Sequence, residues 1–260
     1  GDGVVYILPI LHWGSNYSAR LRRCVHGGYS SLTSYRQPAA FENLPAASRE
    51  PWHRWAARTA EAVTDTEAAF RAGFSRIEKL ERVLSDYDQQ SEASRLGQLS
   101  PMAEPEPVSP DLWQALQVSV FVSRKSDGAF DVTVGPLSRL WRRAHRQREL
   151  PSTERLAAAR QAVGYRLLRF DMGRRAVQLT RPGMRLDFGG IGKGMAADLA
   201  LEEISGMGLR SALVDCGGDM ALGDAPPGRG GWKVGVAGLD PDKAFGGPPG
   251  ISAFERGNDG

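Results

Sequence analysis

LDFGGIGKGMAADLALEEI, Leu186 to Ile204, places an acid, a glycine cluster and a helix in immediate succession. A short apolar run ends in Asp187. Glycines follow at 189, 190, 192 and 194, with Lys193 among them. Glycine lets backbone amides approach a ligand closely, and a helix N-terminus offers unpaired N–H groups to an anion. A lysine at that mouth adds a point charge. The stretch therefore reads as a phosphate cradle on a strand-to-helix junction. A glycine-rich turn that only packs would present the same residues.

Two common phosphate motifs are excluded. A Walker A loop needs Gly-Lys followed by Ser or Thr, and here Gly194 follows Lys193. The dinucleotide fingerprint needs G-x-G-x-x-G, which Gly190 to Gly194 does not provide.

Outside this stretch the chain has ordinary globular composition. Its 260 residues carry a net charge of +3 and 24% charged side chains, which is no nucleic-acid signature. No apolar run reaches the ~18 residues that a membrane span requires. The early VVYILPIL run lacks a basic flank before it and a small-residue cleavage site after it, so no signal peptide is expected. Cys24 follows Leu-Arg-Arg, which argues against a lipid-attachment site. Cys24 and Cys216 form no metal spacing.

Residues 1 to about 50 show no sustained period and read as an undetermined lead-in. From Pro51 to Asp86, Phe70, Phe74, Ile77, Leu80 and Leu84 recur at spacings of three and four, which predicts a helix. Pro101 to Pro107 reads as a linker. A second helix is expected over 111–125 with Leu112, Leu116, Val120 and Phe121 inward. Gly128 to Leu137 reads as turn, short strand and turn. The run from Arg139 to Arg148 holds five arginines and His145 and reads first as a solvated helical face, with a contact to phosphate or to an acidic partner as the runner-up. Ser152 is a candidate N-cap, with Glu154 in the first turn and Gly164 closing that helix. Strands are expected near 165–170, 175–180, 184–188, 211–214, 219–223 and 232–236, with a helix from the glycine loop to about Ser205. Residues 237–260 read as a Gly/Pro-rich tail.

Asp131, Asp187 and Asp219 each stand in or beside a turn. Each alone is a plain turn cap. Together with Lys193 and the glycine loop they suggest a phosphorylated ligand, with Mg²⁺ relieving the repulsion between acids and phosphates. His12, His26, His53 and His145 lie outside these motifs. Trp141 and Trp232 are expected to pack.

The chain resembles the FAD:protein FMN transferases, the ApbE-type flavin transferases, over about residues 66–236. The carriers are Leu84-Ser85-Asp86-Tyr87 with Ser91-Glu92 and Arg95-Leu96, and Asp127 to Leu137. Leu186 to Asp198, Gly217-Gly218-Asp219 and Trp232 to Val236 complete them. The resemblance implies an α/β (α+β) fold with mixed sheets and packed helices, with a partial FAD-binding flavin transferase domain over 51–236. It implies Mg²⁺ as cofactor and FAD as substrate. FMN would pass to a threonine hydroxyl of a target flavoprotein with a Ser/Thr-Gly-Ala-Thr acceptor, releasing AMP. Ala129, Phe130, Asp131, Asp187 and Lys193 would contact FAD, and the Gly190 carbonyl would be a metal ligand. No catalytic base is assigned. The family's setting implies a periplasmic or membrane-associated location.

The sequence departs from the family pattern. A Met-Gly-Thr strand is not found near the start, and Gly97 stands where Asn is usual. The C-terminal segments that carry the side-chain metal ligands are not recognisable, so the fold is expected to be incomplete there and Mg²⁺ binding weak. An alternative is a non-catalytic flavin or nucleotide binder that keeps only the cradle. An unrelated oxidoreductase is disfavoured, because no second cofactor motif is present.

Overall fold

A computed structural model describes residues 66–226, 229–232 and 234. The lead-in, the tail, His12, Cys24, His26 and His53 lie outside the described residues, as does most of the expected 232–236 strand.

The first helix, α1, covers 66–84 of the described chain. Ile77, Leu80 and Leu84 are buried, and Phe70 and Phe74 pack against the core from its margin. The helix stops where the sequence says it should. Ser91 Oγ and Ser94 Oγ both donate to the Ser85 carbonyl, folding the 85–91 turn back on itself. Ser91 also caps α2 (Glu92–Gln98) by accepting from the Ser94 amide.

Helix α3 (Pro110–Lys125) begins at Ser109, whose side chain accepts from the Leu112 amide. Arg76 of α1 grips Asp111 in this first turn with two bonds of 2.8 Å. The buried face comprises Leu112, Ala115, Leu116, Ser119, Val120 and Ser123. The two serines donate to the carbonyls four residues earlier, so the core accepts them without an unpaired hydroxyl. Phe121, expected inward, is 61% exposed. It falls off this stripe, and Lys125 lies over its ring.

The expected strand after Gly128 does not form. Residues 131–134 make a turn, and α4 (Gly135–Gln147) starts at once. Pro136 favours this, since proline suits the first turn of a helix. Likewise 184–188 forms no strand and makes a single parallel bridge, Val134 with Arg185. The expectation that Trp141 packs is also overturned, because it is 51% exposed on α4. Helix α5 (Thr153–Gln161) has the expected Ser152 cap and packs on α4.

Strands β1 (Glu106–Pro107), β2 (Leu168–Asp171) and β3 (Ala176–Leu179) form one antiparallel sheet in the order β1-β3-β2. The proline-rich stretch is thus an edge of a sheet as well as a connection. Residues 165–167 are a 3₁₀ turn rather than strand. Trp113 of α3 meets Phe170 of β2 edge to face at 5.5 Å. Helix α6 (Gly192–Gly206) packs Ala196, Ala197, Ala200 and Ile204 into the core and lies against the hairpin of β4 (Leu213–Asp215) and β5 (Met220–Leu222). The Trp232 indole donates to the carbonyls of Gly223 and Asp224 at 3.0 Å, so this tryptophan does pack.

The α3 face makes a direct stability contrast. Leu116→Ala should cost ~2–5 kcal/mol through the lost burial and the cavity left behind. Phe121→Ser should stay within about 0.5 kcal/mol, as exposed positions do. Urea unfolding of both variants checks this, and equal losses would contradict the burial pattern.

Candidate functional site: the cradle at the N-terminus of α6

The site is built where two turns meet. The Asp187 amide donates to the Val132 carbonyl at 2.8 Å, and the Val134–Arg185 bridge lies beside it. Gly135 closes the seam. A methyl group there would sit 2.8 Å from the Arg185 carbonyl oxygen, so only glycine permits this approach. The seam brings the 129–131 turn against the glycine loop. A methyl group on Gly190 would lie 3.0 Å from Phe130 Cε2, which shows how closely the ring covers that residue.

Asp131 organises its own turn. Its Oδ1 accepts from the Thr133 amide at 2.8 Å and the Thr133 hydroxyl at 2.6 Å. Its Oδ2 accepts from the Tyr165 amide at 2.7 Å. Both oxygens are therefore engaged by the chain, and Asp131 shapes the wall on which Ala129 and Phe130 stand. Ala129 is exposed and Phe130 half-buried.

Asp187 plays the matching part on the other side. Its Oδ1 accepts from the Gly189 amide at 2.9 Å, which turns the chain into the glycine loop. Phe188, fully buried, anchors the loop from below, and its carbonyl accepts from the amides of Ile191 and Gly192. No side chain caps α6. The amides of its first turn have no partner within the helix. Gly190 is exposed and Lys193 half-buried at this opening.

Lys193 Nζ forms an ion pair with Asp219 Oδ2 from the β4–β5 turn. That turn is held by Cys216 N–H on the Asp219 carbonyl at 2.8 Å and Gly218 N–H on Asp215 Oδ1 at 2.7 Å. Asp219, read from the sequence as one of the converging acids, thus faces the cradle's lysine. The sequence reading did not single out Arg142 of α4, which donates to Asp86 and, at 3.4 Å, to Asp187, the acidic contact that was only the second reading of its arginine run. Burial acts to lower its pKa, but the hydrogen bond and charge of Asp86 outweigh this, and the guanidinium sits above its ordinary value. Nothing local marked Arg142 within a run of arginines. Asp86 stood in a quoted motif but had no visible partner.

Asp131, Asp187, Phe130, Gly190, Lys193 and Asp219 therefore gather on one rim. The metal fares differently. Among the described residues no three His, Cys, Asp or Glu side chains cluster as ligands. Asp131 and Asp187 spend their oxygens on the chain's own donors, and Asp219 is paired with Lys193. The described residues do not fit a Mg²⁺ shell, and His145 is exposed on α4 away from these bonds.

Comparison with known proteins places the chain in a family. A model of the ApbE family matches residues 54–255, reaching beyond both ends of the resemblance read from the sequence. A protein of Treponema pallidum named FAD:protein FMN transferase is 32% identical over 187 residues, covering 66% of this chain and 51% of that protein. One of Haemophilus influenzae with the same name is 28% identical, covering 55% and 44%. The chain spans about half the length of the curated relatives it matches. Among solved structures, the apo flavinyl transferase ApbE of Pseudomonas stutzeri superposes with a TM-score of 0.59 at 28% identity, covering 65% of this chain and 53% of that one. The ApbE protein of Thermotoga maritima gives 0.59 at 26%, covering 66% and 56%.

Two outcomes test the rim. Asp219→Asn releases Lys193, so inorganic pyrophosphate should bind up to about fivefold tighter by calorimetry, the ~0.2–1 kcal/mol of a part-exposed pair. Weaker binding would show that Asp219 does not compete with the anion. Cys216 is pushed up to about 11 by burial first and then by Asp215 and Asp219, against the pull of Lys193. Its thiol should resist iodoacetamide at pH 8 in the folded chain and react once unfolded. Because the folded pKa lies above the unfolded one, the thiol's stabilisation is full below about pH 9 and is lost as pH rises towards 11.

Proposed function

The chain belongs to the ApbE family, and on that premise we propose that it transfers the FMN half of FAD to a threonine hydroxyl of a target flavoprotein, releasing AMP. The observation that carries this reading is the junction itself. Phe130 covers Gly190 at the mouth of α6, and Lys193 stands in the first turn, where the Gly192 amide is bonded to the Phe188 carbonyl and those of Lys193 and Gly194 have no partner within the helix. A flavin dinucleotide needs an apolar contact and, for its pyrophosphate, backbone amides and a cation, which Phe130, the start of α6 and Lys193 released from Asp219 would offer.

The reaction balances as a phosphoryl transfer. The threonine oxygen forms a bond to the phosphorus on the FMN side, and the bond from that phosphorus to the bridging oxygen breaks. AMP departs with the bridging oxygen, and the hydroxyl proton passes to a base outside the residues assigned so far. Lys193 and the helix N-terminus would neutralise charge on the pyrophosphate as it builds. Asp187 and Asp131 hold the two turns in place.

A Mg²⁺ requirement and the Ser/Thr-Gly-Ala-Thr acceptor enter this proposal through the family resemblance. So does a location at or outside the cytoplasmic membrane. Of the described residues only the Gly190 carbonyl stands where the resemblance puts a metal ligand. Among them no helix is long and apolar enough to cross a membrane. The lack of a ligand cluster among the described residues favours one second reading, a protein that binds FAD in the cradle without transferring FMN.

Intact-mass measurement separates the two. The chain is mixed with FAD, Mg²⁺ and a protein carrying the acceptor sequence. A target heavier by one FMN, with the gain lost in Lys193→Ala, is the expected result. An unchanged target with FAD still bound would establish the second reading, and no FAD binding would overturn both.

A further inference from the structure

Three stretches far apart in sequence meet at the guanidinium of Arg142. It donates to Asp86 in the turn after α1 and to Asp187 at the start of the glycine loop. The Tyr87 ring lies beneath it, 4.5 Å from the guanidinium carbon to the ring centroid. The side chains of Asp86 and Asp187 are only 13% and 16% exposed, so solvent screens these charges less than at an open surface. The neighbouring Arg143, by contrast, bonds to Gln147 on its own helix.

Asp187 is the hinge of the cradle, because its Oδ1 holds the Gly189 amide. A carboxylate free at its second oxygen can rotate and release that amide. From this geometry we infer that Arg142 is a positioning residue, anchored on Asp86, that fixes the Asp187 carboxylate and so preorganises the glycine loop for its anionic ligand. The inference rests on the reading of the cradle as a FAD site for its ligand, though not for its geometry. Arg142 also balances charge. Without it, Asp86 and Asp187 stand as two uncompensated carboxylates beside the place where a pyrophosphate must bind.

Two readouts test this. Amide exchange at Gly189 in the ligand-free chain reports the turn without reference to any ligand. In Arg142→Ala it should be faster while α3 keeps its protection. FAD titration should show affinity reduced about tenfold, the scale of one lost charge-assisted bond. In the transfer assay KM for FAD should rise by a similar factor with kcat within about twofold. Arg142→Lys should recover part of the affinity, because it keeps the charge but not the guanidinium nitrogen, Nη2, that donates to both carboxylates. Asp86→Asn, which leaves Arg142 in place without its charged anchor, should shift Gly189 exchange in the same direction by less.

Wild-type exchange at Gly189 in Arg142→Ala would overturn the inference. Should Arg142→Ala not fold, wild-type exchange in both Arg142→Lys and Asp86→Asn would do so. If the parent chain bound no FAD, the FAD reading would fail, and the exchange comparison would still decide the role of Arg142.

Discussion

The hydrogen bond from the Asp187 amide to the Val132 carbonyl, 2.8 Å long, is the seam on which the site depends. It joins two loops, neither of which belongs to a sheet. On one side Asp131 has tied its turn with three bonds, and on the other Asp187 has opened the glycine loop with one. Gly135 allows the closest backbone approach in this region, and α4 leaves from it in the direction that carries Arg142 back to the seam. Helix α6 leaves from the other end. The rim residues share a neighbourhood because one backbone contact sets the relation of these two helix starts.

This arrangement assigns the acids roles that residue type alone does not reveal. Carboxylates beside a phosphate site suggest metal ligands. Here Asp131 and Asp187 accept from the chain's own amides, while Asp219 neutralises the lysine that an anion would use. Their work is to hold backbone in place and to balance charge. On the proposed function, recognition would fall to Phe130, Lys193 and the first-turn amides of α6 left free by the Phe188 carbonyl. Preorganised backbone of this kind is what charge stabilisation in phosphoryl transfer requires.

The helices were legible because their apolar residues repeat at three and four, and the glycine loop because glycine, lysine and a helix start coincide within a few residues. Failures arose where local composition and packing disagree. Val132-Thr133-Val134 has strand residues, but Asp131 accepts from the Thr133 amide and Pro136 opens a helix, leaving no length for a strand. Phe121 looked inward from hydrophobicity, yet the true stripe of α3 runs through Ser119 and Ser123, which bury well once bonded to the carbonyls behind them. Arg142 could not be singled out, because its partners lie 56 and 45 residues away. Local periodicity carries no information at that range.

The β1 edge has a consequence for how the molecule behaves among its own copies. The sheet ends there in two exposed residues, Glu106 and Pro107. Proline has no N–H to offer an incoming strand, and a carboxylate repels its twin on a second molecule. An edge so short and so poor in donors is a weak template for strand addition. The small sheet is thereby protected at this border from intermolecular pairing.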